Sequence, residues 1–207
     1  MEESSTPNPK KAALTDALLR IVAERGLDQV SVREVASAAG VSIGTVQHYF
    51  PTKDEMLTTA FAEVVRRVRA RLESVELGDD VRCNLSAVLR EFLPLDARRS
   101  EEARIMVAFA ARAATSPPLA EVQRAVLTEI HQALSEAFAL AANGRADAAE
   151  TRRAAHIAIA AADGLALHAV SAPRLISRPE LAATLELLLD RLVPEGKTGR
   201  SPVRSQP

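Results

Sequence analysis

The residues best placed to do chemistry fall in one stretch, SVREVASAAGVSIGTVQHYF, residues 31–50. It gathers two hydroxyls (Ser42, Thr45), an amide (Gln47), an imidazole (His48) and a phenol (Tyr49) within eight residues. Such groups donate to phosphate oxygens and read base edges by hydrogen bonding. None of them has the partner that covalent catalysis needs. The chain has no Gly-rich phosphate loop, no G-x-S-x-G elbow, no H-E-x-x-H and no paired cysteines. Its four histidines (His48, His131, His156, His168) share no metal-ligand spacing, and the lone Cys83 has no base nearby in sequence. The chain is therefore not expected to be an enzyme, and no metal or cofactor is expected.

Two short helices and a tight turn must position these groups. Ser31 with Glu34 makes a capping box for the first helix, which buries Val35, Ala36 and Ala39. Gly40 lets the chain reverse, Val41 pins the turn, and Ser42 caps the second short helix, which buries Val46. A helix of about two turns is unstable alone, so a longer helix must sit behind it. That helix is read at residues 9–25, with an apolar stripe of Leu14, Ala17, Leu18, Ile21 and Val22, ended by Gly26. The outward face of the second short helix (Ser42, Ile43, Gly44, Thr45, Gln47, His48) is then free to enter a major groove roughly 12 Å wide. Thr52 with Glu55 makes a second capping box, opening a long helix through Met56, Leu57, Phe61, Val64, Val68 and Leu72.

The ordered string from Ala17 to Leu57 closely resembles the DNA-binding domain of the tetracycline-repressor (TetR) family. The matching residues are Glu24-Arg-Gly26, Ser31, Val35-Ala36, Ala39-Gly-Val-Ser42, Gly44-Thr-Val46, Tyr49-Phe50, Lys53 and Leu57. The resemblance implies an all-α fold of about nine helices: a three-helix DNA-binding domain at 9–54 and a ligand-binding, dimerising bundle at 55–194. It implies a dimeric transcriptional regulator, a repressor released from a pseudo-palindromic operator when a small molecule enters the body. It puts Ser31 and Arg33 near the DNA backbone, Ser42, Ile43, Gly44 and His48 toward bases, and Thr45, Tyr49 and Lys53 toward phosphates. The family usually has a phosphate-contacting tyrosine where this chain has Gln47, an amide that can still donate to phosphate or read adenine.

Beyond Gly78 the helical pattern continues, at about 80–93, 101–115, 118–142, 147–171 and 178–193, with Ser177 and Glu180 forming a third capping box. In this body Phe92, Met106, Phe109, Arg112, His131, Phe138, Asp163 and His168 are the larger or polar groups near apolar faces, and all but Phe92 are the candidate ligand contacts. Asp163 is the most unusual, a charge among small residues that needs a partner or water. Ile157, Leu165, Leu181, Leu185, Leu188 and Leu192 form stripes on the last two helices and resemble the family's four-helix dimer seam.

Composition sets wider bounds. The 207 residues are 47% hydrophobic but only 3% aromatic, which favours helix over strand. Net charge is −1, so the whole chain is no generic polyanion binder, although residues 9–53 hold six basic against four acidic groups. No apolar run of about 18 residues and no signal peptide are read, so no membrane partner is expected and a cytoplasmic setting is. Residues 1–8 and 195–207 read as disordered tails.

Overall fold

The computed structural model describes residues 9–26 and 29–193; both expected tails, 1–8 and 195–207, lie outside the described residues, as does Pro194. Within the described residues nine α-helices and no strand are present: α1 (Pro9–Arg25), α2 (Val32–Ala39), α3 (Ile43–Tyr49), α4 (Lys53–Glu73), α5 (Val81–Arg90), α6 (Ala97–Ala113), α7 (Pro117–Ala142), α8 (Ala148–Ser171) and α9 (Arg178–Leu192). The fold is all-α, as expected.

Local chemistry accounts for most of these boundaries. Ser31, Ser42, Thr52, Asp80 and Asp96 each accept a hydrogen bond from a backbone amide three residues on, satisfying donors that a helix start leaves unpaired. At Ser31 the cap is one-sided: the Glu34 carboxylate turns instead to Arg25, 2.8 Å away. The reciprocal box forms at Ser177–Glu180, and also at Asp147–Glu150. Asp96 starts α6 four residues before the expected position, because its side chain caps the helix and also holds Arg99 at 2.8 Å.

Three apolar clusters hold the helices together. The first joins α1, α2 and α3 through Leu18, Ile21, Val35, Val46 and Phe50, and takes in Met56, Ala60 and Val64 of α4 and Ile105 of α6. The second lies in the distal bundle, between α5, α7, α8 and α9, around Leu89, Phe138, Ile159, Leu181 and Leu185. The third sits between them, where Phe61 stacks on Phe109 with ring centroids 3.9 Å apart. Helix α8 is long and apolar enough to cross a membrane by length and composition, contrary to the expectation that no stretch reaches that length. Its alanine content raises its hydropathy, and Ala155, Ala158, Ile159, Ala162 and Ala166 bury against neighbouring helices.

Candidate nucleic-acid interface and ligand cavity

The turn between α2 and α3 is made by Gly40, whose φ of 66° is left-handed, and whose N–H closes the end of α2 on the carbonyls of Ala36 and Ser37. Ser42 then starts α3, accepting from the Thr45 amide at 3.1 Å with the two hydroxyl oxygens 2.9 Å apart. Val46 is fully buried and Tyr49 half-buried, so α3 is anchored by one side only. Ile43 (46% exposed), Gly44, Gln47 and His48 are left on the outer side. The His48 ring meets the Tyr49 ring edge-on at 5.1 Å, which ties its position to a residue packed on the core.

Cations flank this surface. Arg33 on α2 and Lys53 at the first position of α4 are exposed, and among the described residues their side chains enter no hydrogen bond or ion pair. Next to Lys53, Asp54 binds the Arg112 guanidinium at 3.2 and 3.4 Å and the Ser116 hydroxyl at 3.4 Å. Arg112 thus fastens the end of α6 to the start of α4. A second fastening joins α4 to α1, from Arg67 to Asp16 at 3.0 Å. Electropositive side chains, a helix start and an outward polar face together form a surface suited to phosphates and base edges.

A cavity of about 460 Å³ lies in the body, walled by α4, α6, α7 and α8 and by Glu91 and Phe92 just after α5. Its wall is mostly Val, Ala, Leu and Ile, with Phe92 as its only aromatic ring. Asp163 stands on the wall of this space as an exposed residue, and desolvation by the protein packed around it pushes its carboxyl up to about 6. At the α5–α6 end Arg71 bridges Glu91 (2.8 Å) and the buried Glu102 (2.8 Å), and Arg99 reaches Glu91 at 3.1 Å.

Residues 14–60 match the family described as "Bacterial regulatory proteins, tetR family", and residues 81–194, more than half of the chain, match "BetI-type transcriptional repressor, C-terminal". The chain belongs to the TetR family. It is 27% identical over 187 residues to the HTH-type nicotine-responsive transcriptional repressor HdnoR of Paenarthrobacter nicotinovorans, covering 88% of this chain and 95% of the relative. It is 30% identical over 132 residues to the HTH-type transcriptional regulator BetI of Burkholderia mallei, covering 63% and 68%. Among solved structures, a transcriptional regulator from Rhodococcus sp. Rha1 superposes with TM-score 0.81 at 43% identity, over 88% of this chain and 95% of that one. A transcriptional regulator from Saccharomonospora viridis in complex with choline shares the fold, with TM-score 0.76 at 19% identity over 88% and 96%. As a TetR-family member with a BetI-type body, the chain is a transcriptional regulator that binds DNA through its helix-turn-helix, and not an enzyme.

The TetR body redistributes the candidate ligand contacts. Met106 and Asp163 line the cavity, but Phe109 is spent in the middle cluster and Phe138 in the distal one. Arg112 points to Asp54, and His168 is exposed and outside the cavity wall. His131 is drawn instead to His156, with ring centroids 4.4 Å apart, and burial beside that second imidazole lowers its basicity. Phe92, noted in sequence but not among the candidate contacts, and Val68, read there only as part of the α4 stripe, also line the cavity, as do Glu102, Gln123 and Ile130, which were not singled out. Of the expected seam residues, Leu181 and Leu185 are fully buried within this protomer, so neither is free for a partner. Leu165 and Leu192 pack against the same core and Leu188 is half-buried, whereas Ile157 is 49% exposed.

Proposed function

We propose that this regulator is a homodimeric, operator-specific repressor whose DNA affinity falls when a small molecule fills the 460 Å³ cavity. The observation that carries the reading is the division of labour along α6. Ile105 packs in the same core as the reading helices, while its neighbour Met106 lines the cavity. A ligand that displaces α6 displaces the base on which α3 sits. A nicotine-responsive relative and a choline-bound structure of the same fold support effector response in this chain.

In this reading residues 9–54 hold the DNA-reading unit and 55–194 the sensing and dimerising unit. Ser31, Arg33, Thr45, Tyr49 and Lys53 contact phosphates and sugars; Ser42, Ile43, Gly44, Gln47 and His48 face bases. Gln47 either donates to phosphate or pairs with adenine. The dimer forms through the free sides of α8 and α9, where Ile157 and Leu187 (49% and 58% exposed) are large apolar residues left facing solvent. Two copies then present two α3 helices to half-sites of a pseudo-palindrome, in the cytoplasm where the DNA is.

Footprinting on the DNA upstream of the gene tests this. A protected, roughly symmetric site is expected, with affinity falling steeply as salt rises. Absence of protection at low salt would refute the operator reading.

A further inference from the structure

The cavity is short of hydrogen-bond donors. Three arginines and four carboxylates stand in its wall, and each arginine is already committed. Arg71 binds Glu91 and Glu102, Arg99 binds Glu91 and Asp96, and Arg69 binds Glu129. Among the described residues none pairs with or donates to the Asp163 carboxyl, which is exposed on the cavity wall, and desolvation by the surrounding protein is the sole cause of its raised pKa. Two acceptor atoms in the wall are buried without a hydrogen bond, Gln123 Oε1 and Glu102 Oε2. Glu102 Oε2 lies 2.8 Å from Arg71 Nη2 but outside hydrogen-bond geometry.

Acceptors left without donors in a partly desolvated wall, buried at Gln123 and Glu102 and exposed to the cavity at Asp163, are costly, and a ligand that supplies donors recovers that cost. A carboxylate-bearing ligand has the opposite effect, since it adds acceptors and a like charge. A quaternary ammonium answers the charge but carries no N–H. Its usual recognition is a cage of aromatic rings, and this wall has only Phe92. The rest of the wall is hydrocarbon, suited to an aliphatic body.

We infer that the cavity binds a protonated primary or secondary amine with a hydrocarbon body, its ammonium donating to Asp163 and its chain lying along α4, α6 and α7. The inference rests on the cavity being the effector site, and it fixes the chemical class that this site selects. Gly164, beside Asp163 in the wall, adds room: a Cβ built there meets nothing within 4 Å.

The test is calorimetric titration of the full-length protein and of Asp163→Asn with four probes of equal chain length: octylamine, octyltrimethylammonium, octanol and octanoate. The substitution removes a charge that has no partner, so the variant is expected to fold at least as well as the parent. Octylamine should bind the parent most tightly, and at least tenfold more weakly to the variant, whereas octanol should bind both alike. Equal or tighter binding of octanoate, octanol or the trimethylammonium probe overturns the class, as does unchanged octylamine affinity in the variant. DNA anisotropy in parallel separates the two readings. If octanol or octanoate binds best and releases DNA, the effector site stands and the amine class falls. If octylamine binds through Asp163 while DNA affinity is unchanged, the class stands and the effector reading falls. If none of the four binds, both fall.

Discussion

Gly44 is where stability and DNA binding should respond in opposite directions. It is in ordinary helical backbone, and a Cβ built on it meets only the Ser42 hydroxyl, at 3.9 Å. Neither conformation nor packing in the free protein requires glycine. Gly44→Ala should therefore stabilise the fold by about 0.5–1 kcal/mol, because alanine loses less freedom on folding. For a chain of this length that is a rise in Tm of about 1–4 °C. On DNA the same methyl would stand on the outer side of α3, between Ser42 and His48, where the proposed reading brings backbone close to base edges. Pushing α3 outward there costs on the order of one mismatched base pair, about 1–3 kcal/mol, or roughly 5- to 150-fold in affinity. Differential scanning fluorimetry gives the first quantity and anisotropy on the footprinted fragment the second. Gly40→Ala is the control: its φ of 66° is strained for alanine, so Tm should fall, by an amount reflecting about 1–2 kcal/mol. A Gly44→Ala protein that is more stable and binds DNA as tightly as the parent refutes the close approach. One that is less stable refutes the description of α3 itself.

Lys53→Ala should weaken binding to all sequences and lower the salt slope by about one, whereas His48→Ala should change base preference, both read by anisotropy on mutated operators. Leu187→Glu should convert dimer to monomer in sedimentation, since it puts a charge on the most exposed large residue of α9, with Tm of the monomer little changed. Asp163→Asn should gain stability with rising pH. The native carboxyl titrates near 6 and its ordinary value is 3.8, so the folded state holds the proton longer, and the parent loses stability between those values and no further above them. Allowing for water in the cavity, the gain at pH 7.5 is about 1 kcal/mol, a Tm rise of a few degrees that vanishes near pH 3.5.

The reading helices were legible because their spacing is dictated locally. Ser31, Gly40, Ser42 and Thr52 each act within four residues of their own position, and the structure puts all four at the helix ends expected of them. The body was legible as helices but not as surfaces. Leu181 and Leu185 show why: a helical stripe identifies a buried face without saying whether the same chain or another copy covers it, and here the same chain does. The cavity escaped for a complementary reason. Large residues such as Phe109 and Phe138 fill space and so mark packed cores, whereas a cavity persists where side chains are too small to meet, at Val68, Ala103, Ala110 and Ala166. Arg112 meets a partner 58 positions away and His131 meets one on the next helix, relations that no local spacing encodes. Asp163 was the exception, because an unpaired charge among alanines is conspicuous in sequence as well as in space.

The placement of α6 sets how strongly the cavity can act on DNA. Ile105 is buried in the core of the reading unit and Phe109 in the middle cluster against Phe61 of α4. Close-packed interiors do not deform continuously, so a shift of α6 must carry α1 and α4 with it or open a void. Arg112 adds a polar link from α6 to Asp54, one residue from the exposed Lys53. A ligand contributes only its difference in affinity between the two placements of α6. A hundredfold loss of DNA affinity requires about 2.7 kcal/mol of that difference. Hydrocarbon contacts along a wall shared by α4, α6 and α7 change little when one helix slides, whereas a charge-assisted hydrogen bond to Asp163 on α8 is lost if the ammonium is carried off line. In the proposed mode the polar anchor on α8 and the apolar grip on α6 therefore have separate tasks: Asp163 would fix the ligand to the bundle, and Met106 would be the surface on which it pushes.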